Sequence, residues 1–182
     1  MITDSQLSFV PIGGNLSIVA GAGINVPSTN VIDLLGTGVG TAPNAIIGTA
    51  TLFGTDAGIG AIKAQIEAIT GTAFATANGG TLNVAFQAAP DLGVGGGYQP
   101  GAYTTLVETG PIAVASLTAA QVIARFDFPP AFPANLQPRY LRLLFQVPAA
   151  SNFTAGTISS ALVTMVRDDQ ANKFASRNYA AA

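Results

Sequence analysis

Nine residues, Arg139-Tyr140-Leu141-Arg142-Leu143-Leu144-Phe145-Gln146-Val147, constrain this chain more than any other stretch. In an extended backbone Leu141, Leu143, Phe145 and Val147 point to one side, and Tyr140, Arg142, Leu144 and Gln146 to the other. Burying the four apolar side chains is worth roughly 6–12 kcal/mol at about 1.5–3 kcal/mol each. A surface ion pair made by either arginine is worth at most about 1 kcal/mol. The apolar face therefore decides where this strand goes. Pro138 and Pro148 mark its ends, because proline has no amide hydrogen to give a ladder.

The rest of the chain repeats that pattern in shorter pieces. Ser28 to Leu34 is rich in β-branched residues and follows Pro27. Glycines surround an apolar middle, Ala45 to Phe53, which reads as a strand with long flanks. Ile62, Ala64, Ile66 and Ala68 alternate with Lys63, Gln65 and Glu67, a period of two that predicts a half-buried strand with Lys63 and Glu67 in water. Thr72 to Ala77 and Thr81 to Gln87 flank Asn78-Gly79, the pairing that favours a tight hairpin turn. Gly93 to Gly101 reads as a loop, since its glycines miss the phosphate-binding spacing. Strands resume at Tyr103 to Glu108, Ile112 to Ala115 and Arg125 to Phe128. Leu117 to Ile123, with Thr118 as a possible N-cap, is the one candidate helix. Thr157 to Val166 is the last strand.

About ten short strands punctuated by Gly and Pro predict an all-β fold, a sandwich, barrel or jelly roll. Residues 1–27 read as an N-terminal arm or edge strands, 28–167 as the β-sandwich domain and 168–182 as a C-terminal tail. A chain of 182 residues is long enough to bury such a core as a single domain.

Composition narrows the chemistry. There is no Cys and no His, so thiolate chemistry, disulfides and a Ser-His-Asp triad are excluded. Asp168-Asp169 lacks the alternating ligand spacing of a calcium loop. Any two of Asp33, Glu67, Asp91, Glu108 and Asp127 could meet in a sandwich as glycosidase carboxylates, but nothing local singles out a pair. The reading is a non-enzyme with no cofactor and no metal. Arg139 and Arg142 read as partners for acids, not as one anion clamp.

Charged residues make up only 9% of the chain, against about 25% in an ordinary soluble domain, and the mean hydropathy is +0.46. A surface so poor in charge predicts cover by copies of the chain or by a larger partner. Residues 1–124 hold one Lys and six acids, and residues 125–182 hold six Lys or Arg and three Asp. That balance suits docking on protein better than binding nucleic acid. No apolar run is long enough for a membrane helix. The start Met1-Ile2-Thr3-Asp4 lacks the basic residues of a signal peptide, which predicts a product kept in the cell that makes it.

Ser28-Thr29-Asn30-Val31-Ile32-Asp33-Leu34, Arg139-Tyr140-Leu141-Arg142-Leu143 and Phe153-Thr154-Ala155-Gly156, in that order, resemble the capsid cement proteins of the Bordetella-phage type. Met1 to Leu7 and Asp168 to Tyr179 are also similar to that family. Between Leu34 and Ile62 the chain is longer than the family pattern, and residues 103–123 match it more loosely. The resemblance implies a jelly-roll decoration protein, a homodimer or homotrimer on the outer surface of a virion, bound where subunits of a separate major capsid protein meet. It supplies no catalytic residues. The expected contact residues are Tyr140, Arg142 and Leu144 on the second face of the opening strand, together with Arg167, Lys173, Phe174, Arg177 and Tyr179 in the tail. That second face either pairs within the sandwich or meets a neighbour. Two other readings stand beside this one. A receptor- or carbohydrate-binding sandwich of a tail or fibre is disfavoured by the absence of Trp and the presence of only four Tyr. The other is a capsid subunit that assembles alone.

Overall fold

The computed structural model describes residues 2–19, 23–34, 46–47, 50–51, 63–77, 79–92, 99–127, 132, 136–149 and 151–166. Its strands are β1 (Ile2–Val10), β2 (Leu16–Ser17), β3 (Asn25–Pro27), β4 (Ile32–Asp33), β5 (Ile46–Ile47), β6 (Ala50–Thr51), β7 (Lys63–Thr70) and β8 (Ala75–Thr76). There follow β9 (Thr81–Ala89), β10 (Thr104–Glu108), β11 (Ile112–Ala113), β12 (Val122–Asp127), β13 (Tyr140–Gln146), β14 (Phe153–Ala155) and β15 (Thr157–Val166). One sheet runs β1-β15-β7-β12, and the other β10-β9-β13-β3, with β4 continuing the β3 edge along β13. Among the described residues every pairing is antiparallel. The protein is an all-β antiparallel sandwich. No helix among the described residues is long and apolar enough to cross a membrane.

The period-two pattern becomes the core. Leu141, Leu143, Phe145 and Val147 are buried in one cluster with Leu82, Val84, Phe86 and Ala88 of β9. From the opposite sheet come Leu7 and Phe9 of β1, Ile66 and Ala68 of β7, and Ala161 and Val163 of β15. Phe9 and Phe86 meet edge to face at 6.0 Å between ring centroids, joining the two sheets at their middle. In β7, Gln65, Glu67 and Ile69 are half-buried between fully buried Ile66 and Ala68, so the alternation holds, but the Glu67 side chain, expected in water, is only 15% exposed and paired with Arg125.

Along the chain, passage from one long strand to the next crosses between sheets, except for β9 to β10, which are neighbours in one sheet. The crossings from β1 to β3, β7 to β9, β10 to β12 and β13 to β15 leave from one end of the sandwich, where Gln146 pairs with Asn83 and Asn25. The other end carries Ile2 beside Met165, Lys63 beside Val166, and Tyr140 between Ala89 and Asp33.

Three expectations change. Thr72–Ala77 and Thr81–Gln87 do not form a hairpin: β8 pairs with β14, while β9 spends one edge on β13 and the other on β10 and β11. A strand has two ladder edges, so none is left for β8. Gly79 still takes the positive φ, +75°, that the turn signal asks for.

Leu117 to Ile123 is not a helix. Val114–Ser116 forms a single 3-10 turn, and Val122 and Ile123 belong to β12. The Thr70 side-chain oxygen accepts from the Gln121 N–H at 2.8 Å, while the Thr70 N–H donates to the Gln121 carbonyl at 2.9 Å. Two turns of helix repay their nucleation poorly, and β-ladder bonds to β7 outbid them.

Of the two alternatives for the start of the chain, arm or edge strands, residues 2–10 take the second, as an edge strand with Leu7, Phe9 and Val10 in the core. The strand expected over Ser28 to Leu34 shrinks to β4, Ile32–Asp33; β3 lies just before Ser28, whose hydroxyl accepts from the Leu143 N–H at 3.2 Å, and both β3 and β4 pair with β13. Of the apolar run 45–53, only the β5–β6 pair lies within the described residues.

Candidate interaction surface

The second face of β13 is covered by the chain itself. Tyr140 is 1% exposed and Leu144 7% exposed, so the first of the two alternatives for that face, pairing within the sandwich, holds for both residues. Leu144 stands in register between Ala85 of β9 and Pro27 of β3. Both neighbours are small or compact, which leaves room for the leucine between them.

Arg142 is half-buried and held in place. It lies opposite Gln87 in the β9–β13 ladder, and its Nε donates to Gln87 Oε1 at 2.9 Å. Gln87 Nε2 in turn donates to Thr105 Oγ1 at 3.0 Å. The guanidinium lies 3.6 Å from the centroid of the Tyr103 ring, a close cation–π stack. Two rows along the same face, past Leu144 and Ala85, Asn83 Nδ2 donates to Gln146 Oε1 at 2.7 Å and to Glu108 Oε2 at 2.8 Å. Two polar rows thus cross the outer face, each tying β13 to β9 and β10. Among the described residues, no buried side-chain nitrogen or oxygen lacks a partner.

Replacing Arg142 with Ala leaves Gln87, which is 6% exposed, with an unpaired buried acceptor. The expected loss is about 1–3 kcal/mol of stability, read by urea unfolding. A variant as stable as the parent would show that the row carries no load.

Asp33 and Asp91, two of the five acids considered as carboxylate pairs, are brought together by Arg139 just before β13. Its Nε donates to Asp33 Oδ1 at 2.9 Å and its Nη2 to Asp33 Oδ2 at 3.0 Å, while Nη1 bonds Asp91. The two carboxylates push the Arg139 pKa further above its already high value, chiefly through the hydrogen bonds to Asp33 and then Asp91. A guanidinium sits where a glycosidase would need its sugar. The group is a clamp that fastens β4 and the Asp91–Pro100 bridge to the start of β13. The remaining acids are paired singly: Glu67 with Arg125 at 2.8 Å, Asp127 with Gln65 at 3.4 Å, and Glu108 with Asn83.

Arg167, Lys173, Phe174, Arg177 and Tyr179 lie outside the described residues. Sequence reasoning missed Gln87, Tyr103 and Asn83. For Gln87 and Asn83 the signal is the pairing register, which sets them opposite Arg142 and Gln146; Tyr103 precedes β10 and carries no such signal. Compared with protein-family models and with curated proteins, the chain matches none.

Proposed function

We propose that the protein is a structural component of a phage virion, a cement subunit that binds the outside of the capsid where major capsid protein subunits meet and braces the shell. The observation that carries this reading is the strand order. With β3 and β4 counted as one edge, β1-β15-β7-β12 facing β3-β13-β9-β10, linked by crossings everywhere except β9 to β10, fits the order expected of an eight-stranded jelly roll. Viral capsid proteins, lectins and cupins use that architecture. A cupin metal site calls for histidines, which this chain lacks. The 9% charge content adds support, because a protein that spends its life against a shell needs less charged surface. Many copies, each burying modest area across a joint, raise the cost of pulling the joint apart.

Electron microscopy of particles made by the virus that encodes this chain tests the proposal. The chain is expected as a separate density on top of a shell built from another protein. Its absence from particles, or a shell built from it alone, overturns the reading. Deleting residues 168–182 is expected to lower occupancy on shells while leaving the circular-dichroism spectrum of the sandwich unchanged; undiminished occupancy would remove the tail from the contact.

A further inference from the structure

Three arginines stand among the described residues, and two of them are matched by acids of the chain. Arg125 gives Nε and Nη2 to Glu67, and Arg139 lies between Asp33 and Asp91. Arg142 meets no carboxylate among the described residues. Its Nε is spent on Gln87 and one flat side of its guanidinium on Tyr103. Nη1 and Nη2 have no acceptor among those residues, and since no buried side-chain nitrogen there lacks a partner, both reach the surface.

The fork is also fixed in place. Gln87, 6% exposed and bonded to Thr105, holds one edge of the guanidinium, and the Tyr103 ring, 3.6 Å away, holds one face. The end-on pair of Nη1 and Nη2 is therefore presented with little side-chain freedom left to lose. Around it the surface is open and neutral. Thr104, Thr105 and Val107 of β10 are exposed, and among the described residues β10 is the last strand of its sheet.

We infer that Arg142 receives one carboxylate, an Asp or Glu side chain on the protein against which this sheet face docks. The inference rests on the capsid reading for the identity of that protein, the major capsid protein. Geometry and charge select the ligand. With Nε occupied, the two N–H groups at the end of the fork match the two oxygens of a carboxylate. A phosphate adds charge and oxygens, and the charge that shares the two polar rows with Arg142 is an acid, Glu108. The net charge of −2 disfavours a polyanion further. A free carboxylate in water gains little from an exposed guanidinium. One carried on a protein surface shuts water out of the pair, where leaving either charge alone is costly.

Titrating the full chain onto shells of the encoding virus assembled without it tests this, at a temperature where circular dichroism shows every variant folded. Arg142→Gln is expected to raise the dissociation constant at least about tenfold. Arg142→Lys keeps the charge but not the planar fork, and is expected to bind at least about threefold more weakly than the parent. Glu108→Gln, which keeps an oxygen for Asn83, is expected to bind like the parent. A second measurement leaves this chain untouched: the shell's carboxylates are amidated with a carbodiimide and a neutral amine. That treatment is expected to weaken the parent at least about tenfold and Arg142→Gln much less, because the pair is already broken. Parent binding that survives amidation, or that Arg142→Gln leaves unchanged, overturns the inference while the capsid reading stands. So does a Glu108→Gln loss as large as that of Arg142→Gln, which would make Glu108 of another copy the acceptor. A parent chain that binds no shell overturns both.

Discussion

Replacing Phe86 with Ala is expected to cost about 3–5 kcal/mol. At about 2–4 °C per kcal/mol for a chain of this size, the melting temperature falls by roughly 6–20 °C. Phe86 is fully buried and central in its sheet, in register with Leu143 of β13 on one side and Val107 of β10 on the other. Its ring is also the near partner of Phe9 across the sandwich. Removal therefore opens a cavity at the seam between the sheets, where neither can collapse into it without breaking its own ladder. Thermal unfolding followed by circular dichroism checks this. Phe86→Leu, which keeps most of the volume, should recover most of the loss; a Phe86→Ala variant melting within about 2 °C of the parent would mean that the seam is not where the stability lies.

The second large effect is expected at Gly156. Its φ is +142°, a conformation that side-chain-bearing residues rarely adopt, and a Cβ there would stand 2.5, 2.6 and 2.8 Å from three ring atoms of Phe74. The ring has nowhere to go: Phe74 is 7% exposed and packs edge to face on Phe153 at 5.1 Å. Gly156→Ala thus adds backbone strain of about 1–3 kcal/mol to an overpacking cost of about 1–3 kcal/mol. Gly79→Ala separates the two contributions, because Gly79 has φ +75° and open space around its would-be Cβ. It should lose only the strain. In urea unfolding, Phe74→Ala and Gly156→Ala together should cost less than the sum of the two single changes, because the shortened side chain removes the clash. Strict additivity of the two changes would show that the ring is not what the methyl group meets.

How much of this was legible beforehand depends on the physics of each element. Periodicity of two, β-branched runs and bounding prolines determined β7, β9, β13 and β15, because the burial of their alternating apolar residues outweighs any competing local preference. The all-β class and the four core positions of the Leu141 to Val147 face followed from the same term. Tertiary structure alone decided who pairs with whom. Asn78-Gly79 has the turn chemistry of a hairpin, yet β9 had two better partners at greater sequence distance. Leu117 to Ile123 has helix-forming residues, yet the Thr70 and β7 hydrogen bonds took them. Tyr140 and Leu144 look like surface by alternation, yet the chain covers that face too. Local sequence carries the one-body terms of the energy, burial and backbone preference. Register, the Arg142–Gln87 row and the Arg139 clamp are two-body terms, and they exist only once the sheets are closed.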